Sequence, residues 1–175
     1  MLEIEIKVKV DNIDEIRTNI KTIGGHHSET VTEEDIYYNA PHRDFGITDE
    51  ALRVRSAGGK ITLTYKGPKN TLMGSKIREE HNVHLEDAKT FDTIITSLGF
   101  KQVAQVTKLR EYYTFEDFSI AVDNVEKLGQ FVEIELVTEN NAKQAAIRVD
   151  NLAKKIGVVG ERISISYLEL LLSKQ

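Results

Sequence analysis

The chain has 175 residues, enough for one domain with a sizeable core, and its composition of 40% hydrophobic and 29% charged residues is typical of a soluble globular protein. The absence of cysteine excludes disulfides and thiolate metal sites, and the net charge of −5 argues against a general nucleic-acid-binding surface. The sequence has no run of about 18 apolar residues and begins directly on a charged strand. We therefore expect no membrane partner and no signal peptide, and a cytoplasmic protein.

Hydrophobic periodicity, followed along the chain, predicts one domain over residues 1–175 with about eight strands and about four helices. The predicted strands cover residues 2–10, 26–38, 51–57, 60–66, 76–85, 100–115, 119–125 and 130–138. The predicted helices cover residues 13–23, 87–98, 141–156 and 160–172, and residues 39–49 are predicted to form a loop. Because most strands are joined by short turns, the fold class is predicted as α+β, built on a large antiparallel sheet.

Charged side chains share one face of the predicted strands. In the first strand, Glu3, Glu5 and Lys7 alternate with apolar residues, and the same period-two pattern recurs in the later strands. The cations on this face are Lys7, Arg53, Arg55, Lys66, Arg78, Lys108 and Arg110, and the anions are Glu3, Glu5, Glu80, Asp123, Glu133 and Glu135.

The helices indicate which way this charged face points. Each predicted helix has an apolar stripe that must pack against something, and the available partner is the apolar face of the strands, formed by Ile4, Ile6, Leu52, Val54, Leu63, Val83, Ile134 and Leu136. A twisted sheet of eight strands tends to close on itself. We therefore expect a closed eight-stranded antiparallel barrel with helices on the outside and the charged face lining a channel.

A channel rich in arginine and lysine indicates a polyanionic ligand, because the planar guanidinium group binds two phosphate oxygens at once. The carboxylates would suit Mg²⁺ or Mn²⁺, since Mg²⁺ commonly takes one or two carboxylates and shares phosphate oxygens of the substrate. The alternative from alternation alone is a solvated sheet face with cross-strand ion pairs. The five histidines have no metal-ligand spacing.

Several motifs resemble those of the CYTH family, also called triphosphate tunnel metalloenzymes, and in particular its CyaB branch. The motifs are EIEIK, ALRVR, LTYKGP, KIREE, TKLREYY and AVDNVEKLGQFVEIE, which occur in the family's order over residues 2–136. The combination of an N-terminal E-x-E-x-K with a late L-G-x-F-x-E-I-E is specific.

This resemblance implies a triphosphate bound along a tunnel with one or two divalent metal ions. It implies metal ligation by Glu3, Glu5, Glu133 and Glu135, with Asp123 close to a second metal. The phosphate-binding residues would be Lys7, Arg53, Arg55, Lys66, Arg78, Lys108 and Arg110, and the residues expected to matter most for turnover are Glu3, Glu5, Lys7, Arg53 and Arg110. A homodimer is also implied by the resemblance.

The same site could support different reactions. Attack by the ribose 3′-oxygen at the α-phosphorus of ATP gives cyclic AMP and pyrophosphate, as in class IV adenylyl cyclases, whereas attack by water gives a triphosphatase acting on tripolyphosphate or thiamine triphosphate. A non-catalytic polyphosphate binder is the third alternative, although binding alone does not need the carboxylates. The sequence identifies no adenosine pocket; Tyr37, Tyr38, His42 and Phe45 lie near the expected channel mouth, where a structural or surface role is favoured.

Overall fold

The structure is a computed structural model that describes residues 2–68, 70–72, 75–77, 79–139 and 141–174, with side chains described except at residues 2, 3, 70–77 and 142. Ten strands and five helices lie in this part of the chain. The strands are β1 (Leu2–Val10), β2 (His26–Asn39), β3 (Ala51–Ala57), β4 (Lys60–Lys66), β5 (Asn70–Leu72), β6 (Ser75–Ile77), β7 (Glu80–Leu85), β8 (Lys101–Phe115), β9 (Phe118–Val125) and β10 (Gly129–Thr138).

Eight of these strands form one antiparallel sheet in the order β1-β10-β9-β8-β2-β3-β4-β7, which confirms the predicted α+β fold with a large antiparallel sheet. The longest ladder joins β2 to β8, and β1 pairs with β10, although more than 100 residues of chain separate them. Hairpins join β3 to β4, β8 to β9 and β9 to β10.

The predicted closure of this sheet is wrong at the level of backbone hydrogen bonds. Within the described residues, β1 and β7 are the two edges of the sheet and no ladder joins them. The reason lies in the predicted strand over residues 76–85, which is divided into β6 and β7; β6 pairs instead with β5 in a separate two-stranded sheet and lies beside β1. The large sheet is nevertheless curled. Glu5 on one edge strand and Glu80 on the other line the same cavity, which shows that the two edges face each other.

The three longer helices cover the apolar face of the sheet, as their periodicity predicted. The prediction that every helix lies outside is wrong, because the last helix packs on the opposite, charged face, where it contacts Phe131 and lines the cavity. The helices are α1 (Ile13–Thr22), α2 (Phe45–Thr48), α3 (Ala88–Ser97), α4 (Ala142–Lys155) and α5 (Tyr167–Leu172). The largest core cluster joins α1 and α4 to β1 and β10, where Ile6 and Ile134 are buried. A second cluster packs α3 against β2, β3 and β4 around Val54, and a third joins α5 to β8 and β10 around Phe131.

Three local predictions differ from the structure. The predicted loop over residues 39–49 contains α2, which begins after Asp44, whose side chain accepts a hydrogen bond from the Gly46 N–H. The last helix begins at Tyr167 rather than near residue 160, because Ser166 and Glu169 form a capping box that fixes its first turn. Val83, predicted on the buried face, is 58% exposed because it lies on the edge strand β7. None of the described helices is long and apolar enough to cross a membrane.

Candidate functional site

A cavity of about 670 Å³ lies on the concave face of the sheet, and we call it the central cavity. Its walls come from β1, β2, β3, β4, β7, β8, β10, α2 and α5. The predicted charged residues that line it are Glu5, Lys7, Arg53, Arg55, Lys66, Glu80, Lys108, Arg110 and Glu133. These side chains come from six strands. The structure thus brings together residues that the alternation of charged and apolar positions predicted to share one face of the sheet.

The remaining predicted site residues lie elsewhere. Asp123 is fully buried behind Arg110, and Glu135 faces Glu5 across the β1–β10 ladder. Arg78 lies outside the described residues, and so does the side chain of Glu3.

Arg110 lies at the centre of a buried ion-pair group. Its guanidinium donates to Asp123, with an Nε–Oδ1 distance of 2.7 Å, and also contacts the Glu133 carboxylate. Lys7, opposite Glu133 in the ladder, places its Nζ 3.2 Å from Glu133 Oε1. Burial alone would raise the pKa of Glu133, but the charges of Arg110 and Lys7 outweigh burial and lower it. Glu133 is therefore held as an anion inside the cavity wall.

Tyr167 connects the last helix to this group. Its hydroxyl donates to Asp123 Oδ2 at 2.7 Å, and the ammonium of Lys7 lies 4.5 Å from the centre of its ring, which is a cation–π geometry. Burial and the charges of Glu133 and Asp123 raise the pKa of Tyr167, so it stays a neutral hydrogen-bond donor. The sequence identified Tyr167 only as part of an apolar helical stripe.

A second ion-pair group surrounds two carboxylates of β2, Glu33 and Asp35, which we call the β2 carboxylate pair. Arg55 donates twice to Asp35, at 2.6 and 2.7 Å, and its Nη1 lies 3.0 Å from Glu33 Oε2. The Lys108 Nζ lies 2.7 Å from Glu33 and 3.5 Å from Asp35. Burial would raise the pKa of Asp35, but the hydrogen bonds from Arg55 and the charge of Lys108 outweigh it and lower it to about 2.

Sequence reasoning missed the β2 carboxylate pair. Glu33, Asp35 and Tyr37 do alternate along β2, but Glu34 between them is also acidic, so neither face of the strand reads as apolar. The signal available in the sequence was the period-two spacing of Glu33, Asp35 and Tyr37, which puts the three residues on one face of the strand. The pairing of Asp35 with Arg55 across the β2–β3 ladder identifies this face as the charged one.

Arg53 and Lys66 are held less tightly than the cations above. Arg53 lies 3.8 Å from Asp35 and donates weakly to Thr64 Oγ1 at 3.3 Å, and its buried Nε has no hydrogen-bond partner within the described residues. Lys66 pairs with the partly exposed Glu80 at 2.7 Å. Both cations retain donor groups that could engage an anionic ligand in the cavity.

Apolar and aromatic side chains also line the central cavity. They are Tyr37, Tyr38, Phe45, Leu52, Val103, Leu168 and Leu172. They adjoin the charged residues, because Tyr37 lies opposite Arg53 and Ala51 lies opposite Lys66 in the ladders. Glu50 also lines the cavity and is already engaged, because it pairs with Arg43 at 2.8 Å and accepts from the Tyr65 hydroxyl at 2.6 Å. Of the residues expected near the mouth, His42 is exposed and lies outside the lining.

The oxygen donors suitable for a hard divalent cation lie on β1 and β10. Glu5 and Glu135 are directly opposite each other in the ladder, an arrangement in which like charges repel unless a cation lies nearby. In the described part of the chain, no group of three or more histidine, aspartate or glutamate side chains is arranged to hold a metal by itself. One or two carboxylates completed by water and phosphate oxygens are the usual set for Mg²⁺, so the donors present fit that ion.

The CYTH domain family model matches residues 1–162. The chain belongs to the CYTH family. It is 40% identical over 173 residues to a Methanocaldococcus jannaschii protein named "Putative adenylate cyclase MJ0240", covering 97% of this chain and 98% of the relative.

Two solved structures share the fold. The PH1819 protein of Pyrococcus horikoshii superposes with a TM-score of 0.86 at 38% identity over 99% of each chain. A Hippeastrum protein, described as "Putative adenylyl cyclase HpAC1" with a dominant triphosphatase activity, superposes with a TM-score of 0.73 at 18% identity, covering 99% of this chain and 97% of its own.

Proposed function

We propose that this CYTH protein is a divalent-metal-dependent enzyme that acts on the triphosphate group of a nucleotide in the central cavity. The observation that carries the proposal is one cavity lined both by cations and carboxylates and by apolar and aromatic side chains. A cavity of about 670 Å³ lies in the size range of sites for ligands such as nucleotides.

The charged residues of the cavity lining support triphosphate binding. Arg53 and Lys66 retain donors for phosphate oxygens, while Lys7 and Arg110 add positive charge where negative charge develops during transfer. Glu5 and Glu135 would hold Mg²⁺ or Mn²⁺, with Glu133 on the same face of β10, and the family resemblance implies Glu3 as a further ligand. When bound, the ion would neutralise phosphate charge and orient the reacting groups.

The apolar and aromatic lining favours a triphosphate with an organic group. In the cyclase reaction, the ribose 3′-oxygen attacks the α-phosphorus, the bond from that phosphorus to the bridging oxygen breaks, and pyrophosphate leaves with that oxygen. The nucleophile belongs to the substrate, so the chain needs only to bind and orient both parts of it. The name of the Methanocaldococcus relative supports this reaction.

The second candidate is a triphosphatase, in which water attacks the triphosphate of tripolyphosphate or thiamine triphosphate. The activity described for the Hippeastrum protein makes it a reasonable alternative within this fold. Inorganic tripolyphosphate would leave the apolar lining unused, whereas thiamine triphosphate would not. We rank the cyclase first because of the name of the Methanocaldococcus relative. A homodimer remains an expectation from the family resemblance, and a cytoplasmic location remains an expectation from the sequence. Light scattering and cell fractionation would test them.

Product analysis tests the proposed function. Untagged protein, since Glu3 lies near the N-terminus, is incubated with ATP or with tripolyphosphate, each with Mg²⁺ or Mn²⁺, and the products are separated by chromatography. We expect cyclic AMP and pyrophosphate from ATP. Release of orthophosphate from either substrate instead would establish the triphosphatase, and binding without turnover would contradict an enzymatic role toward these two compounds.

A pair of glutamate variants tests the metal assignment in the same assay. Glu5→Gln removes a carboxylate that lines the cavity, whereas Glu34→Gln removes an exposed carboxylate of β2. We expect turnover to fall by about 100-fold in the first variant and to stay unchanged in the second. Full turnover by Glu5→Gln would refute metal binding at this position.

A further inference from the structure

We propose that the β2 carboxylate pair, Glu33 and Asp35, positions the cations Arg55 and Lys108 for the triphosphate rather than merely balancing their charge. The inference rests on the proposed triphosphate binding and assigns a role to two residues outside the predicted site. Each carboxylate contacts both cations through the distances given above, so the four side chains form one connected group across β2, β3 and β8.

Because this group is buried, its side chains are held in one arrangement. Glu33, Asp35 and Lys108 are each 2% exposed, and the Arg55 side chain is 19% exposed. Tyr112 completes the group by donating its hydroxyl to Glu33 Oε1 at 2.6 Å. Side chains that are buried and bonded on several sides cannot change rotamer freely, so the cations have one orientation before any ligand arrives.

Arg55 shows how positioning differs from simple neutralisation. Both Asp35 oxygens are engaged by the Nε and one terminal nitrogen of Arg55, a bidentate geometry that fixes the plane of the guanidinium. Both Arg55 and Lys108 nevertheless line the central cavity. Asp35 also approaches Arg53 at 3.8 Å, so one carboxylate influences three cations of the wall.

The alternative is that the two carboxylates compete with phosphate for the cations. The two roles predict opposite results when one negative charge is removed. A competitor that is neutralised should leave the cations freer and the cavity more positive, so an anion should bind more tightly. A positioning residue that is neutralised should leave the cations misplaced, so the anion should bind more weakly even though the cavity is more positive.

Calorimetric titration with inorganic tripolyphosphate, with and without Mg²⁺, separates these roles. The variants are Asp35→Asn and Glu33→Gln, which keep the side-chain shape and remove the charge, and the control is Glu34→Gln on the opposite, exposed face of the same strand. We expect the dissociation constant to rise by about 100-fold for Asp35→Asn and about 10-fold for Glu33→Gln, and to be unchanged for the control.

Unchanged or tighter binding by folded Asp35→Asn or Glu33→Gln protein would overturn the positioning role while leaving the proposed function intact. Wild-type protein that binds neither tripolyphosphate nor ATP would instead overturn the proposed function, and this inference with it. If Asp35→Asn does not fold, Glu33→Gln decides the outcome, because Asp35 remains in that variant to balance Arg55 and Lys108. Circular dichroism before each titration establishes that the protein is folded.

Discussion

At the scale of single residues, the central cavity is a set of charges that are paired before any ligand is present. Removing an ion from water costs several kcal/mol, and this cost is offset only when each ion has a partner at hydrogen-bond distance. Arg110 meets the requirement with Asp123 and Glu133, and Arg55 meets it with Asp35. Arg53, whose buried Nε lacks a hydrogen-bond partner within the described residues, meets it less well.

The lowered pKa of Asp35 predicts how stability depends on pH. Because its pKa is about 2 in the folded protein against an ordinary value of 3.8, the unfolded chain takes up the proton first as the pH falls. The stabilisation is therefore complete above about pH 4 and is lost as the pH falls toward 2, with a contribution of about 2 kcal/mol. Urea unfolding between pH 5 and pH 2 measures this slope.

Asp35→Asn should flatten that pH dependence as well as lower stability overall. Glu34→Gln is the matched control, since its side chain is exposed on the same strand and should leave the slope as in the wild type. An unaltered slope in Asp35→Asn would show that other carboxylates carry the acid sensitivity, with Glu133 the first alternative because its pKa is also lowered.

At the scale of elements, helix α4 shows how the apolar stripe holds the cavity wall in place. Ile156, at the C-terminal cap of α4, is fully buried in the cluster with β1 and β10, whereas Ile147 in the same helix is 52% exposed. We expect Ile156→Ala to lower the free energy of unfolding by about 2–5 kcal/mol and Ile147→Ala by less than about 1 kcal/mol. Chemical denaturation measures both, and equal effects would contradict the assignment of the buried face.

The sequence predicted elements well where one face of a strand was uniformly apolar. In β1, Glu5 and Lys7 alternate with Ile4 and Ile6, so the strand followed from period two, and the direction of its charged face followed from the apolar stripes of the helices. In β2, polar residues occupy both faces, so only the cross-strand partners of Asp35 indicated which face is inward. The contribution of Tyr167 was equally out of reach, since its contact with Asp123 joins residues 44 positions apart.

At the scale of the whole molecule, the largest core cluster lies on the face of β1 and β10 opposite the carboxylates proposed to hold metal. Chelation with EDTA should therefore lower turnover by at least about 100-fold, equivalent to about 3 kcal/mol of transition-state stabilisation, and leave the fold intact. Turnover assays and far-ultraviolet circular dichroism on the same sample test both parts. Loss of the circular dichroism signal would mean that the metal is structural, and persistent turnover would mean that none is needed.

The pairing of β1 with β10 also has a consequence for synthesis on the ribosome. The first strand leaves the exit channel early, but its ladder partner begins at Gly129 and follows only after most of the chain has been translated. During that interval Ile4, Ile6 and Val8 have neither their strand partner nor α4 to cover them. A nascent chain arrested before β10 should therefore bind chaperones and aggregate readily, whereas one extended through α4 should not.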